Sequence, residues 1–185
     1  MPIKKQVRYL PAGEYGEWII MRLQEKHTTA LKMAEDLFIS APAISHHIHG
    51  HNLPTVETAL LYYDYLANED EDFFNVYFRV LRDARTLFCC SITGKTYFGL
   101  WLRYECYRRK IALEDVAKYI DRTYWTVRRH VHGDRSITFP VSIKYGEAFQ
   151  TDPNLIYEMS HLGKINIEDV NTIMRFFDMI DQIYH

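Results

Sequence analysis

Apolar and polar residues alternate along this chain with the period of a helix, in short runs separated by capping residues. Trp18, Ile19, Met21, Arg22 and Leu23 carry the spacing of a first helix that ends near His27. Thr28 or Thr29 supplies an N-cap hydroxyl for a second helix over 30–38, whose inner face is Met33, Ala34 and Leu37. Ser40 is placed as the next N-cap. It opens a third helix over 41–49 with Ile44 and Ile48 inward; Pro42 is tolerated because first-turn amides have no intrahelical partner. Gly50 closes this helix, as a residue able to adopt the left-handed conformation, and Thr55 caps a fourth helix over 56–67 built on Leu60, Leu61 and Tyr65.

The same plan is then written again, 83 positions later and without a gap. Gly16 falls on Gly99, Trp18 on Trp101, Ala34 on Ala117, His47 on His130, Gly50 on Gly133, Thr55 on Thr138 and Tyr62 on Tyr145. Helices are expected over 97–110, 113–120 and 124–132, with Thr123 as an N-cap, Gly133 as a stop, and Thr138 capping a fourth helix with Pro140 in its first turn. The pattern predicts an all-α chain with two tandem helix-turn-helix domains, joined by a helical linker and followed by an amphipathic C-terminal helix. Its expected divisions are a basic N-terminal arm (1–14), a first domain with its following helix (15–90), a linker (91–96), a second domain (97–163) and a C-terminal helix (164–185).

Two further helices carry information of their own. Phe73, Phe74, Val76 and Tyr77 begin a strongly apolar helix behind Asp70, Glu71 and Asp72, whose charges complement a helix N-terminus. In the tail, Ile167, Val170, Ile173, Met174, Phe177, Ile180 and Ile183 recur every three or four residues. Such a face either folds back on the domains or forms a homodimer through the C-terminal helix, and the dimer is the favoured expectation.

Composition narrows the function classes. The chain has 185 residues, of which 48% are hydrophobic and 25% charged, and its formal net charge is −2. No apolar run approaches the roughly 20 residues of a membrane helix, and Lys4, Lys5 and Arg8 are not followed by the core of a signal peptide. A cytoplasmic location, with no membrane partner, is expected. Cys89, Cys90 and Cys106 have neither disulfide-framework nor zinc spacing. His46, His47, His49 and His51 resemble a metal tract, but His47 and His49 recur as His130 and His132, and neighbours on a helix point to different faces. Helix-end packing is the favoured reading, with no metal. No glycine-flanked serine, phosphate loop or carboxylate pair suggests an enzyme, a cofactor or a small-molecule ligand.

Charge is divided unevenly. Residues 15–68 hold three basic and six acidic side chains, whereas residues 97–150 hold ten and six. A local positive patch, rather than the charge of the whole chain, is what a phosphate backbone meets.

The sequence Val127-Arg128-Arg129-His130-Val131-His132-Gly133-Asp134-Arg135 and, more loosely, Ile44-Ser45-His46-His47-Ile48-His49-Gly50 resemble the end of the recognition helix in the phage-repressor and Cro-like (XRE-type) family. The resemblance covers about 55 residues of each copy. It implies binding to double-stranded DNA, with the third helix in the major groove. Carried over position by position, the base-facing residues are Tyr124, Trp125, Arg128 and Arg129 in the second copy, flanked by Arg122 and Arg135, and Ala41, Pro42, Ser45 and His46 in the first, where Ser45 and His46 are the polar pair. Adjacent arginines suit bidentate contact with guanine, so the second copy is the expected reader. Arg103, Arg108, Arg109, Lys110, Lys118 and Arg135, with the arm Lys4, Lys5 and Arg8, are the expected phosphate contacts, although Arg108, Arg109 and Lys110 equally suit a solvated helix end whose cations offset the dipole. Where many family members carry a phosphate-binding glutamine, this chain has Ala30 and Leu113. That absence, the acidic first copy and the aromatic pair Tyr124 and Trp125 leave a second expectation open: degenerate modules that bind protein, as in an antitoxin, an anti-repressor or a phage-encoded inhibitor.

Overall fold

The computed structural model describes residues 13–52, 54–86, 96–166 and 169–185. The basic arm Lys4, Lys5 and Arg8, the 91–95 loop and Ile167 lie outside them. The chain is all-α: its described residues form helices and no strand, with one isolated bridge between Thr96 and Lys164. It divides into two compact units, Met1–Cys89 and Cys90–His185.

The first unit contains α1 (Gly13–Glu25), α2 (Ala30–Leu37), α3 (Ala41–Ile48), α4 (Val56–Leu66) and α5 (Phe73–Thr86). The second contains α6 (Tyr97–Arg109), α7 (Leu113–Tyr119), α8 (Tyr124–His132), α9 (Phe139–Phe149), α10 (Pro153–His161) and α11 (Val170–Tyr184). The starts of α2 and α7, of α3 and α8, and of α4 and α9 are each 83 residues apart. Short polar side chains fix several of them. Thr29 accepts from the Lys32 amide, Ser40 from Ala43, Thr55 from Thr58 and Thr123 from Thr126 at 3.1–3.3 Å. Thr138 breaks the expected rule: it occupies the N-cap position of α9, but its side chain makes no capping bond. Pro140, in the first turn, has no amide to donate.

Backbone conformation repeats along with the helices. The left-handed residues His27 (φ 50°), Phe38 (φ 54°) and Gly50 (φ 69°) are matched 83 positions on by Lys110 (φ 55°), Asp121 (φ 54°) and Gly133 (φ 74°). The second and third helices of each unit are therefore joined through the same left-handed turn. In the second unit the seat of α8 is especially close. A Cβ on Gly99 of α6 would strike the Val131 carbonyl of α8, to which Thr96 Oγ1 already donates at 2.7 Å.

In the first unit Trp18, Ile19, Met33, Ile44, Leu60 and Tyr62 are all fully buried, and each such large apolar side chain contributes roughly 1.5–3 kcal/mol. Met21, expected on the inner face, is instead 41% exposed. Arg22, read above within the same stripe, is bound at the surface of that core. Its guanidinium meets Glu71 at 2.8 Å and also bonds Glu25, while Trp18 Nε1 donates to Glu71 at 2.8 Å and the Asn68 amide donates to the same carboxylate at 3.1 Å. Glu71 thus ties α1 to the approach to α5, and Asp72 caps that helix through the Asn75 amide.

The equivalent position of the second unit, 83 residues after Arg22, is Glu105. This carboxylate is 1% exposed. It accepts from Arg109 Nε at 2.8 Å, Arg108 Nη2 at 3.1 Å and the Tyr184 hydroxyl of α11. Phe176, Met179 and Ile180 are buried, and Phe176 packs on Tyr97 of α6 with ring centroids 5.1 Å apart. The C-terminal helix therefore folds back on its own unit. This corrects the weight given to a homodimer: the aromatic and aliphatic centre of its apolar face is used internally, leaving Val170 (63%) and Met174 (55%) exposed.

Candidate nucleic-acid interface

Helix α8 presents Trp125, Arg128 and Arg129 to solvent while Val127, His130 and Val131 face the core. Three- and four-residue spacing places Trp125, Arg128 and Arg129 side by side. Trp125 is 63% exposed. The Arg128 guanidinium lies over its indole, 5.3 Å from the centroid, and half-buried Tyr124 meets the same ring edge-on at 5.7 Å. Arg122 lies in the turn before α8 and Arg135 in the loop after it, both exposed. Arg122 donates to the Asp121 carbonyl at 2.7 Å.

None of Arg122, Arg128, Arg129 and Arg135 has a carboxylate partner among the described residues. Several other cations of the unit are engaged. Arg108 and Arg109 pair with Glu105, Arg109 also donates to the Phe149 carbonyl at 2.6 Å, and Lys118 pairs with Asp115 at 3.4 Å. Arg108 and Arg109, expected as phosphate contacts, thus serve to hold α6 to α9 and α11. The structure brings Tyr124, Trp125, Arg128 and Arg129 together on α8, with Arg122 and Arg135 at its two ends. Ser45 and His46 are exposed on α3 of the first unit, where His46 lies edge-on to His51 at 5.6 Å, and no arginine or lysine belongs to that helix.

The recurring histidines have a packing role. His47 Nδ1 hydrogen-bonds the Tyr62 hydroxyl at 2.7 Å, and His130 Nδ1 the Tyr145 hydroxyl at 3.1 Å. Burial pushes both imidazoles down to about 4, helped by the neighbouring charge of His46 in one case and of Arg135 and Arg122 in the other. Both are neutral at pH 7. The same burial raises the Tyr62 and Tyr145 phenols. Each pair fastens a third helix to a fourth, which is how α8 is held with its cationic side outward. Both members of each pair recur at one 15-residue spacing, and that shared spacing was the sequence signal for the contact. No group of three or more His, Cys, Asp or Glu side chains among the described residues is arranged to hold a metal ion.

Comparison of the chain with family models, with curated proteins and with solved structures finds no match. Among the described residues no helix is long and apolar enough to cross a membrane.

Proposed function

We propose that this protein is a sequence-specific double-stranded DNA-binding transcriptional regulator of the XRE type, acting in the cytoplasm as a repressor and reading the major groove mainly with α8. The observation that carries the reading is the exposed Arg128–Arg129 pair, without carboxylate partners among the described residues, on a helix seated by buried contacts on its opposite side. Arginine forks match the acceptor pair on the major-groove edge of guanine, and the exposed Arg122 and Arg135 beside the helix add cations suited to the phosphate backbone. Trp125 offers an apolar plate for a thymine methyl or a sugar and packs against the Arg128 guanidinium. Two unequal modules per chain imply a non-palindromic site. A homodimer through α11 would rest on Val170 and Met174, and sedimentation of the full chain tests it. No catalytic step is assigned to any residue.

Selection of bound duplexes from a random pool, followed by titration of the wild type and of Arg128→Ala/Arg129→Ala across salt, tests the proposal. Each lost base contact is expected to cost about 1–3 kcal/mol and to relax specificity at its own position. A selected duplex that binds no better than random DNA, or a double variant that binds it unchanged, refutes the reading.

A second reading has its own observation. Phe38, in the turn between α2 and α3, is 97% exposed in a left-handed conformation, and Leu31 is 61% exposed. Those apolar groups on an acidic unit favour a protein partner for the first module, as in an antitoxin or anti-repressor.

A further inference from the structure

Between α8 and the start of α9 lies a small cleft of about 90 Å³ lined by Arg122, Thr126, His130, Arg135, Ser136 and Thr138. An adjoining depression of about 230 Å³ shares His130, Arg135 and Ser136 and adds Lys164. No carboxylate lines either one. We propose that the cleft is a receptor for a single oxyanion of the phosphoryl class.

Three independent features converge there. Arg122 and Arg135 approach from opposite ends of α8, neither neutralised by an acid among the described residues, and guanidinium is the side chain best matched to phosphate. Ser136, Thr126 and Thr138 line the same walls; the Thr126 hydroxyl is shared with that of Thr123 at 3.0 Å, whereas the Thr138 hydroxyl is not used for capping α9. His130 is 4% exposed, and among the described residues its one side-chain hydrogen bond is that between Nδ1 and the Tyr145 hydroxyl. Tyr145 is fully buried, burial keeps its phenol protonated, and among the described residues the imidazole is its one acceptor. With the phenol donating to Nδ1, the neutral ring carries its proton on Nε2, the nitrogen left without a protein partner. An oxyanion in the cleft supplies the missing acceptor.

The first unit provides a built-in contrast. It keeps His47 and Thr55 at the matching positions but has Ile39 and Asn52 where the second has Arg122 and Arg135. The scaffold is retained and the charge is not, so the anion site belongs to the second unit alone.

The test uses the full chain and inorganic phosphate, titrated at pH 7 and constant ionic strength against chloride, with the imidazole resonances of His130 and His47 followed by NMR. Phosphate is expected to shift His130 saturably and leave His47 in place. Arg122→Gln/Arg135→Gln, with unchanged far-ultraviolet circular dichroism, is expected to weaken binding at least tenfold, and each single substitution to weaken it less. No saturable shift beyond that of chloride, equal movement of His47, or undiminished binding by the double variant overturns the proposal. A random-sequence duplex added to the phosphate-loaded protein then distinguishes the sources. Displacement of phosphate identifies a nucleic-acid backbone group as the occupant, and retention identifies a free phosphorylated molecule. The site stands independently of base reading by α8, because Arg128 and Arg129 do not line the cleft; Arg128→Ala/Arg129→Ala should leave the phosphate titration unchanged.

Discussion

The two units repeat three helix starts and three left-handed turns and differ in where they place charge. At one position of the first helix, the first unit has Arg22 and the second has Glu105. Each gathers a polar cluster that pins a distant helix: Arg22 with Glu71 ahead of α5, and Glu105 with Tyr184 of α11. Inverting the sign left the architecture in place because each charge is answered locally, and because the left-handed turns at 27, 38 and 50 recur at 110, 121 and 133. On the exposed side of the third helix no such reciprocity holds. Ser45 and His46 face solvent in one unit, while Arg128 and Arg129 face it in the other without a carboxylate partner among the described residues. Charges that stabilise a fold come with partners. Those that lack one are the better candidates for an external ligand.

The largest expected effect that sharpens this contrast is in the polar anchors. Glu71→Ala strips Arg22, whose side chain is only 11% exposed, of its main acceptor, and breaking such a pair from one side costs about 3–5 kcal/mol. Glu105→Ala should cost less, about 1.5–3 kcal/mol, because Arg108 and Arg109 lie nearer the surface and can hydrate. Urea denaturation with hydrogen exchange on α1 and α6 measures both; a reversed order would contradict equivalent anchors with unequal burial.

Acid titration comes next. His47 and His130 are held near 4 in the folded chain against an ordinary 6.5, so the unfolded chain takes up their protons first as the pH falls. Their contribution is fully present above about pH 6.5 and is lost progressively toward pH 4. Glu71 acts lower. Burial alone would raise its carboxyl, but Arg22, Trp18 and the Asn68 amide outweigh burial and hold it below the usual range, so its contribution fades only below about pH 4.5. His130→Gln should flatten the slope of stability between pH 6.5 and 4, and an unaltered slope would remove His130 from this account.

The smallest effect is at the turn. Phe38 and Asp121 occupy the same left-handed position, but aspartate tolerates it far better than a bulky aromatic does. Phe38→Gly should therefore stabilise the first unit by about 0.5–1 kcal/mol, and Asp121→Gly the second by less, as read by thermal unfolding. Equal gains would mean that Phe38 is not strained.

How much of this was legible in the sequence follows from where the partners lie. Helix starts and the third-helix exposure pattern depend on neighbours a few residues away, and Thr29, Ser40, Thr55 and Thr123 marked them. The left-handed residues His27, Phe38, Lys110 and Asp121 are not glycines, so no local rule reveals them. Arg22 was read with an apolar stripe, and Glu105 as one acid among several, because Glu71 and Tyr184 lie 49 and 79 residues further along the chain. The C-terminal face was ambiguous for a similar reason: periodicity gives the apolar side of a helix but not what covers it.

Parallel removal of the two candidate reading heads tests the inequality of the units most directly. Arg128→Ala/Arg129→Ala and Ser45→Ala/His46→Ala would be titrated against the selected duplex over a range of salt concentrations. The account predicts at least a tenfold loss for the first variant, with a shallower salt dependence if either arginine also meets phosphate, and little change for the second. Equal losses in both, or a loss confined to the Ser45 and His46 variant, would contradict it.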